Sequence, residues 1–81
     1  MKIKLLYFAQ LKDAAGVDEQ TLEVNGPVTV REFMKVVLNR PMFEKFKNSS
    51  FLYAINGEFA KPEQLIENQA TFAILPPVAG G

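Results

Sequence analysis

The sequence predicts a single α+β domain in which a mixed sheet of four to five strands wraps over one main helix. Three observations support this fold class. The chain has 81 residues, which is enough for one core of two layers. Several segments alternate between apolar and polar residues, as strands do, and one segment has the spacing of an amphipathic helix. The first and last strand-like segments are apolar on both faces near their ends, which favours a central parallel pair connected across the helix.

The first quarter of the chain predicts two strands joined through a short helix. Ile3, Leu5 and Tyr7 alternate with other residues, which predicts a half-buried strand over residues 2–8. The segment "AQLKDAAG", residues 9–16, contains helix formers and ends on a glycine that can adopt a left-handed C-cap. We therefore expect a short helix or turn there. Residues 19–24 alternate again and predict a second strand that forms a hairpin with the first.

The next segment predicts the main helix. Thr29 and Glu32 form the pattern of a capping box, which marks a helix N-terminus. A catalytic threonine with a carboxylate base is an alternative interpretation, but a cap explains both residues. The helix should end before Pro41, and "FEKF" at residues 43–46 is compatible with another short helical turn. The amphipathic stripe consists of Val30, Phe33, Met34, Val37 and Leu38.

The second half of the chain predicts a hairpin and a final strand. Residues 51–55 are rich in β-forming residues, and Asn56-Gly57 is typical of a two-residue hairpin turn. Residues 61–68 are expected to form a loop or short turn. Residues 70–75 predict the last strand. The expected order of elements is therefore β, β, α, β, β, β.

Three large apolar side chains fall on the outer face of the predicted sheet. The hairpin register places Ala54 opposite Phe59, and both point outward if the bulkier neighbours of Ala54 point inward. Phe8 and Leu75 have outward parity in the first and last strands. Single exposed apolar residues are common, and a slip of one residue would turn these side chains inward. We interpret Phe8, Phe59 and Leu75 as a partner-binding face.

Composition narrows the possible functions. Nine basic residues balance nine acidic ones, so no basic surface indicates nucleic acid or an anionic membrane as a partner. The chain contains no Cys and no His, which excludes disulfides, thiolate metal sites and Cys/His or Ser/His/Asp catalysis. The five glycines form no phosphate-binding motif, so another protein must bind any ATP. No segment has the ~20 apolar residues of a membrane span, and we expect a cytoplasmic protein.

The last six residues, "PPVAGG" at 76–81, predict an extended arm. Leu75 and Pro76 each precede a proline and are therefore restricted to extended backbone. Gly80 and Gly81 have no Cβ and could thread a narrow channel toward another protein's active site. The terminal carboxylate is a poor acyl donor until it is activated, for instance as an acyl-adenylate. A frayed chain end is the alternative interpretation.

Three stretches carry a resemblance to a known family: "LLYFAQLKDAAG" at residues 5–16, "AIN" at 54–56 and "FAILPPVAGG" at 72–81. The chain resembles, from end to end, the ubiquitin-like β-grasp sulfur carriers that form the small subunit of molybdopterin synthase. The resemblance implies one β-grasp domain, residues 1–81, with an extended tail at 76–81. An E1-like enzyme would adenylate Gly81, and sulfur would replace the adenylate to give a C-terminal thiocarboxylate.

The resemblance also implies partners. The tail would enter a large catalytic subunit and donate sulfur to a pyranopterin precursor during molybdenum cofactor biosynthesis, in a complex of two small and two large subunits. The chain would bind no cofactor itself, and the activating partner would use the ATP. Catalytic side chains would lie in the large subunit, so the chain would be a sulfur-donating but non-catalytic subunit.

Individual residues acquire roles from the same resemblance. Gly81 would carry the sulfur, and Gly80 would form the reacting end with it. "ENQAT" at residues 67–71 departs from the Gly-Asp turn that related chains often have, and we expect Asn68 to take the left-handed conformation there. The residues implied in partner binding are Phe8, Phe59, Leu75, Pro76, Pro77, Val78 and Ala79.

Other functions remain open at this point. A ubiquitin-like protein modifier would use the same activated C-terminus to form isopeptide bonds with lysines. A sulfur carrier for thiamine or for tRNA thiolation would also share the Gly-Gly end. A plain interaction module of the same fold would not need the two glycines.

Overall fold

The computed structural model describes residues 1–76, and residues 77–81 lie outside the described part. Within residues 1–76, no helix is long and apolar enough to cross a membrane. The elements in chain order are β1 (Lys2–Tyr7), α1 (Ala9–Ala15), β2 (Glu19–Glu23), β3 (Val28–Thr29), α2 (Val30–Leu38), a 3₁₀ helix (Pro41–Phe46), β4 (Leu52–Ile55), β5 (Glu58–Ala60), β6 (Leu65–Ile66) and β7 (Thr71–Leu75).

Five of the strands form one mixed sheet in the order β2-β1-β7-β4-β5. β1 and β7 are parallel neighbours at its centre, whereas the other neighbouring pairs are antiparallel. A parallel pair needs a crossover connection, and α2 lies in the chain between the two strands. The predicted fold class and the central parallel pair are both confirmed.

The core lies between the inner face of this sheet and α2. Ile3 and Leu5 of β1 and Phe72 and Ile74 of β7 are fully buried, as their alternation predicts. Phe33 of α2 packs edge to face on Phe72, with ring centroids 5.3 Å apart, and such pairs add ~0.5–1.5 kcal/mol to the burial of their area. Because the helix covers the inner face, the outer face is the one left for a partner.

Tyr7, the last residue of β1, joins the sheet to the end of α2. Its hydroxyl donates a hydrogen bond to Oε1 of Gln20 at 2.8 Å and accepts one from Nη2 of Arg40 at 2.6 Å. Nη1 of Arg40 also donates to Oε1 of Gln20 at 2.8 Å. Because Tyr7 is buried, these bonds satisfy a hydroxyl that would otherwise be costly to bury. They fix the end of β1, where Phe8 leaves the sheet.

α2 begins at a capping box, as the sequence predicts. Oγ1 of Thr29 accepts a hydrogen bond from the backbone N–H of Glu32 at 3.1 Å. In return, Oε1 of Glu32 accepts one from the backbone N–H of Thr29 at 2.8 Å. Two N–H groups at the start of the helix are thereby satisfied. The helix ends at Leu38, before Pro41, which is also as predicted.

Replacing Thr29 with alanine is expected to lower the free energy of unfolding by about 1 kcal/mol, because the N–H of Glu32 loses its acceptor. In a domain of this size, the melting temperature should fall by roughly 4–8 °C. Thermal unfolding followed by circular dichroism measures the change. Thr29→Ser keeps the hydroxyl and should stay close to wild type, so an equal loss in both variants would contradict the capping role.

The capping box also predicts a pH dependence. The backbone N–H of Thr29, assisted by its side chain, holds the pKa of Glu32 below the ordinary value of 4.5. A lowered folded-state pKa stabilises the protein fully above the unfolded-state pKa, and this contribution disappears as the pH falls through the folded-state pKa. Wild type should therefore exceed Glu32→Gln in stability at neutral pH, and the difference should narrow below pH 4.5. Urea unfolding of both proteins across this range measures the difference; a constant gap would contradict the assignment.

Two short strands were not predicted. β3 (Val28–Thr29) pairs antiparallel with β6 (Leu65–Ile66), which lies within residues 61–68, the expected loop. Strands of two residues are too short to show a periodic pattern, so the sequence offered no signal for them. Their pairing brings Ile66 into the core, where it is fully buried. The expected order contained at most five strands, and these two additions correct it to seven within residues 1–76.

The turn before β7 differs from the expectation for Asn68. The left-handed residue is Gln69, with φ of 66°, while the side chain of Asn68 accepts a hydrogen bond from the backbone N–H of Lys2 at 2.9 Å. The backbone N–H of Gln69 donates to the carbonyl of Lys2 at 2.6 Å. Asn68 thus acts as a side-chain acceptor that ties the turn to β1. The expectation that Asn68 itself supplies the left-handed conformation was wrong.

Candidate partner-binding face and reactive tail

An apolar row crosses the outer face of the five-stranded sheet. Leu6 pairs with Ala73 between β1 and β7, Ala73 pairs with Ala54 of β4, and Ala54 pairs with Phe59 of β5. Paired residues on neighbouring strands point to the same side of a sheet. Ala54 and Ala73 at the centre of the row have small side chains that protrude little from the sheet. Phe59, at the end of the row, is 75% exposed. The row therefore presents one protruding ring beside a shallow apolar floor.

A second set of apolar residues continues this surface toward the end of β7. Leu52 pairs with Leu75, and Leu52 is 41% exposed. Phe8, next after β1, has extended backbone and is 42% exposed. The register in which Tyr7 pairs with Ile74 brings Phe8 level with Leu75. We call the combined surface the outer apolar face: Leu6, Phe8, Leu52, Ala54, Phe59, Ala73 and Leu75.

Charged residues border the outer apolar face on the β2 side. Glu19 of β2 pairs with Leu6, and Lys4 forms an ion pair with Glu19 at 3.3 Å. Both side chains are about half exposed, so the pair contributes at most ~1 kcal/mol to stability. An apolar centre with a charged rim is the usual composition of a protein–protein interface. The arrangement therefore fits a surface that a partner covers.

Two of the three sequence-predicted residues of this face are exposed, and the third is partly buried. Phe8 and Phe59 are exposed, as predicted. Leu75 points outward but is half buried, because Leu52 lies directly beside it. Sequence reasoning missed Leu52 itself, although the parity that turned Ala54 outward also applies to it. The role of these residues in binding a partner stays a prediction.

The tail begins at the edge of the outer apolar face. Pro76 is exposed and follows Leu75 directly at the end of β7. The other predicted tail residues, which are Pro77, Val78, Ala79, Gly80 and Gly81, lie outside the described residues, so their roles stay predictions. Five residues follow Pro76, and even fully extended they reach at most ~18 Å from it. The geometry therefore links the candidate interface to the candidate reacting end.

Among residues 1–76, no group of three or more carboxylates is placed to hold a metal ion. Glu32, whose pKa is lowered, is occupied by its capping bonds with Thr29. Burial raises the pKa of the Tyr53 hydroxyl, and Tyr53 packs against Phe72 on the inner side of the sheet with ring centroids 5.9 Å apart. Both shifts arise from structural contacts away from the outer apolar face.

Comparison with known proteins places the chain in a family. The model of the ThiS family matches residues 5–81. The molybdopterin synthase sulfur carrier subunit of Chlamydomonas reinhardtii is 32% identical over 84 residues, which cover 100% of both chains. The matched region thus includes the tail as well as the folded part.

Solved structures agree with this assignment. The putative molybdopterin converting factor, subunit 1, from Pyrococcus furiosus has a TM-score of 0.83 and 26% identity, over 96% of this chain and 99% of its own. The small archaeal modifier protein 1 from Methanosarcina acetivorans has a TM-score of 0.76 and 26% identity, over 99% of this chain and 96% of its own. The chain therefore has the ubiquitin-like β-grasp fold and belongs to the ThiS family, alongside relatives that are sulfur carrier subunits of molybdopterin synthase.

Proposed function

We propose that this chain is the sulfur carrier subunit of a molybdopterin synthase and that Gly81 carries the sulfur. The observation that carries the proposal is the position of the end of β7, since Leu75, which directly precedes the tail segment at 76–81, lies within the outer apolar face. A partner that covers this face is thereby placed where it can receive the residues that follow. The full-length match to a relative that bears this name supports the same assignment.

Activation of Gly81 is proposed to have two steps, which sulfur donation follows. A carboxylate oxygen first attacks the α-phosphorus of ATP, which forms an acyl-adenylate and releases pyrophosphate. Hydrosulfide then attacks the acyl carbon and displaces AMP, which leaves a thiocarboxylate and a proton. During donation, the thiocarboxylate sulfur attacks a carbon of the acceptor and displaces an oxygen-linked group from it. Water then cleaves the acyl–sulfur bond, which leaves the sulfur on the acceptor and restores the Gly81 carboxylate. The chain supplies the acyl group, and its partners supply the catalytic side chains and bind the ATP.

Two partners follow from this chemistry. An E1-like enzyme would adenylate the tail. A large catalytic subunit would bind the pyranopterin precursor, which accepts the sulfur, in a complex of two small and two large subunits. The outer apolar face supports such binding because Phe59 and Leu52 are apolar and exposed, as are the aromatic anchors of many interfaces. We expect this exchange of partners to take place in the cytoplasm.

Reconstitution tests the proposed function. The chain is incubated with the E1-like enzyme, ATP and sulfide, and is then mixed with the large subunit and the pyranopterin precursor. We expect one sulfur to be added to each chain and then lost as the dithiolene product forms. If the thiocarboxylate forms but the pyranopterin precursor never accepts its sulfur in the large subunit, the chain serves another thiolation pathway. If no thiocarboxylate forms under any condition, the carrier function is wrong.

A second function has support from one comparison. The solved relative from Methanosarcina acetivorans is named a small archaeal modifier protein, and a modifier would use the same adenylated Gly81 to form isopeptide bonds. Immunoblots of cell extracts against this chain distinguish the two functions. A ladder of covalent adducts that requires Gly81 would favour the modifier. A single band of the free chain, together with a thiocarboxylate, would favour the carrier.

A further inference from the structure

A small apolar cavity lies at the root of the tail. Its volume is about 120 Å³. It is formed where β1 and β7 end and β4 begins, against α1 and the segment after the 3₁₀ helix. Gln10 and Ser49 supply the polar part of the wall. The apolar part consists of Phe8, Leu11, Phe46, Phe51 and Pro76.

The wall of this cavity is shared with the outer apolar face. Phe8 belongs to both, and Pro76 is the residue directly after Leu75 of that face. A partner that covers the face and receives the tail must therefore pass over the cavity. An apolar side chain that fills a concave apolar site contributes strongly to the binding free energy. The reason is that the lining residues then gain van der Waals contacts on their open side.

The size and lining of the cavity indicate its occupant. Apolar cavities of ~150 Å³ accept a benzene molecule, so one aliphatic or small aromatic side chain fits about 120 Å³. A charged side chain does not fit, since most of the lining offers no hydrogen bonds to a buried charge.

We propose that the cavity at the tail root is a socket for one apolar side chain of the large subunit, inserted when that subunit covers the outer apolar face. This inference rests on the proposed function, since it assigns one contact of the same complex. Its role is to anchor the partner beside the point where the tail departs. The tail is thereby held in register with the partner's active site.

Substitution of a residue in the cavity wall by one with a larger side chain tests the proposal. Ser49→Met places a flexible apolar side chain at the cavity wall, while the backbone N–H of residue 49 still donates to the carbonyl of Phe46 at 3.0 Å. We expect the affinity of the large subunit to fall about tenfold, which corresponds to ~1.4 kcal/mol. The matched control is Asn48→Met, since Asn48 shares a neighbouring groove with Ser49 but does not line the socket. Thermal unfolding checks that both variants fold.

A small probe tests occupancy directly. Benzene is titrated into the ¹⁵N-labelled chain, and the amide signals of Gln10 and Ser49 are followed. We expect shifts in the free chain that disappear when the large subunit is added. Equal affinities of Ser49→Met and Asn48→Met, or benzene shifts that persist in the complex, would overturn the inference. So would shifts that appear only after truncation behind Pro76, because the chain's own tail would then be the occupant.

These outcomes are separable from failure of the proposed function. A wild-type chain that acquires sulfur and binds the large subunit, but whose two variants bind alike, overturns the socket alone. A wild-type chain that never binds the large subunit overturns the proposed function and the socket with it.

Discussion

Extending the chain by one residue after Gly81 is expected to abolish thiocarboxylate formation and to leave the folded domain unchanged. Adenylation requires a free carboxylate on the residue that fits the activating site, and an added residue moves that carboxylate beyond it. The first buried core residue in the sequence is Ile3 and the last is Ile74. Core packing therefore does not depend on a residue added after Gly81. Intact mass spectrometry after incubation with the activating enzyme, ATP and sulfide measures the effect. Deletion of Gly81 should have the same result.

A cleavable extension provides the control. If a protease site follows Gly81, the uncleaved chain should remain without sulfur, and cleavage that exposes Gly81 again should restore sulfur addition to the wild-type level. Melting temperatures should be equal before and after cleavage. Sulfur addition to the uncleaved chain would contradict the role of the Gly81 carboxylate. A large loss of stability on extension would instead indicate that the tail is structural.

The second large effect is expected at the outer apolar face. Phe59→Lys should weaken binding of the large subunit at least about 30-fold, because a loss of ~2 kcal/mol is typical when an aromatic anchor that the partner buries is removed. Phe59 is 75% exposed, so its replacement should change the free energy of unfolding by less than ~0.5 kcal/mol. Titration calorimetry with the large subunit measures affinity, and urea unfolding measures stability.

Leu65→Lys is the matched control for this substitution. Leu65 is 59% exposed and lies on a short strand, but β6 belongs to the separate two-stranded sheet rather than to the outer apolar face. The control should bind the large subunit with wild-type affinity. If the two variants bind equally well, the partner does not cover Phe59. If both lose binding equally, the added charge acts nonspecifically.

Most of the sheet was predictable because its strands alternate clearly. Ile3 and Leu5 in β1, and Phe72 and Ile74 in β7, follow the period of two over enough residues to define a buried face. The capping box at Thr29 located the main helix to the residue. The pairing of β3 with β6 was not predictable, because each strand has two residues and only tertiary packing defines it. The left-handed Gln69 was missed because Asn68 is the intrinsically better candidate.

The candidate site was predictable in part because some of its residues also follow the alternation of the strands. Outward parity in the first strand and in the predicted hairpin identified Phe8 and Phe59, and both are exposed. Leu52 has the same outward parity as Ala54, but its pairing with Leu75, which places it in the face, is a tertiary contact that the sequence does not show. The cavity at the tail root had no sequence signal, because it forms where α1, the segment around Ser49 and the ends of three strands meet. Such a site depends on how distant segments pack.

The most direct test of the carrier function is the mass of the C-terminal fragment of this chain purified from cells that make molybdopterin. The account predicts a fraction of chains in which one terminal oxygen of Gly81 is replaced by sulfur. This fraction should disappear when the activating enzyme is deleted and should accumulate when the large subunit is deleted. A C-terminal fragment that never carries sulfur, even when the large subunit is absent, would contradict the account.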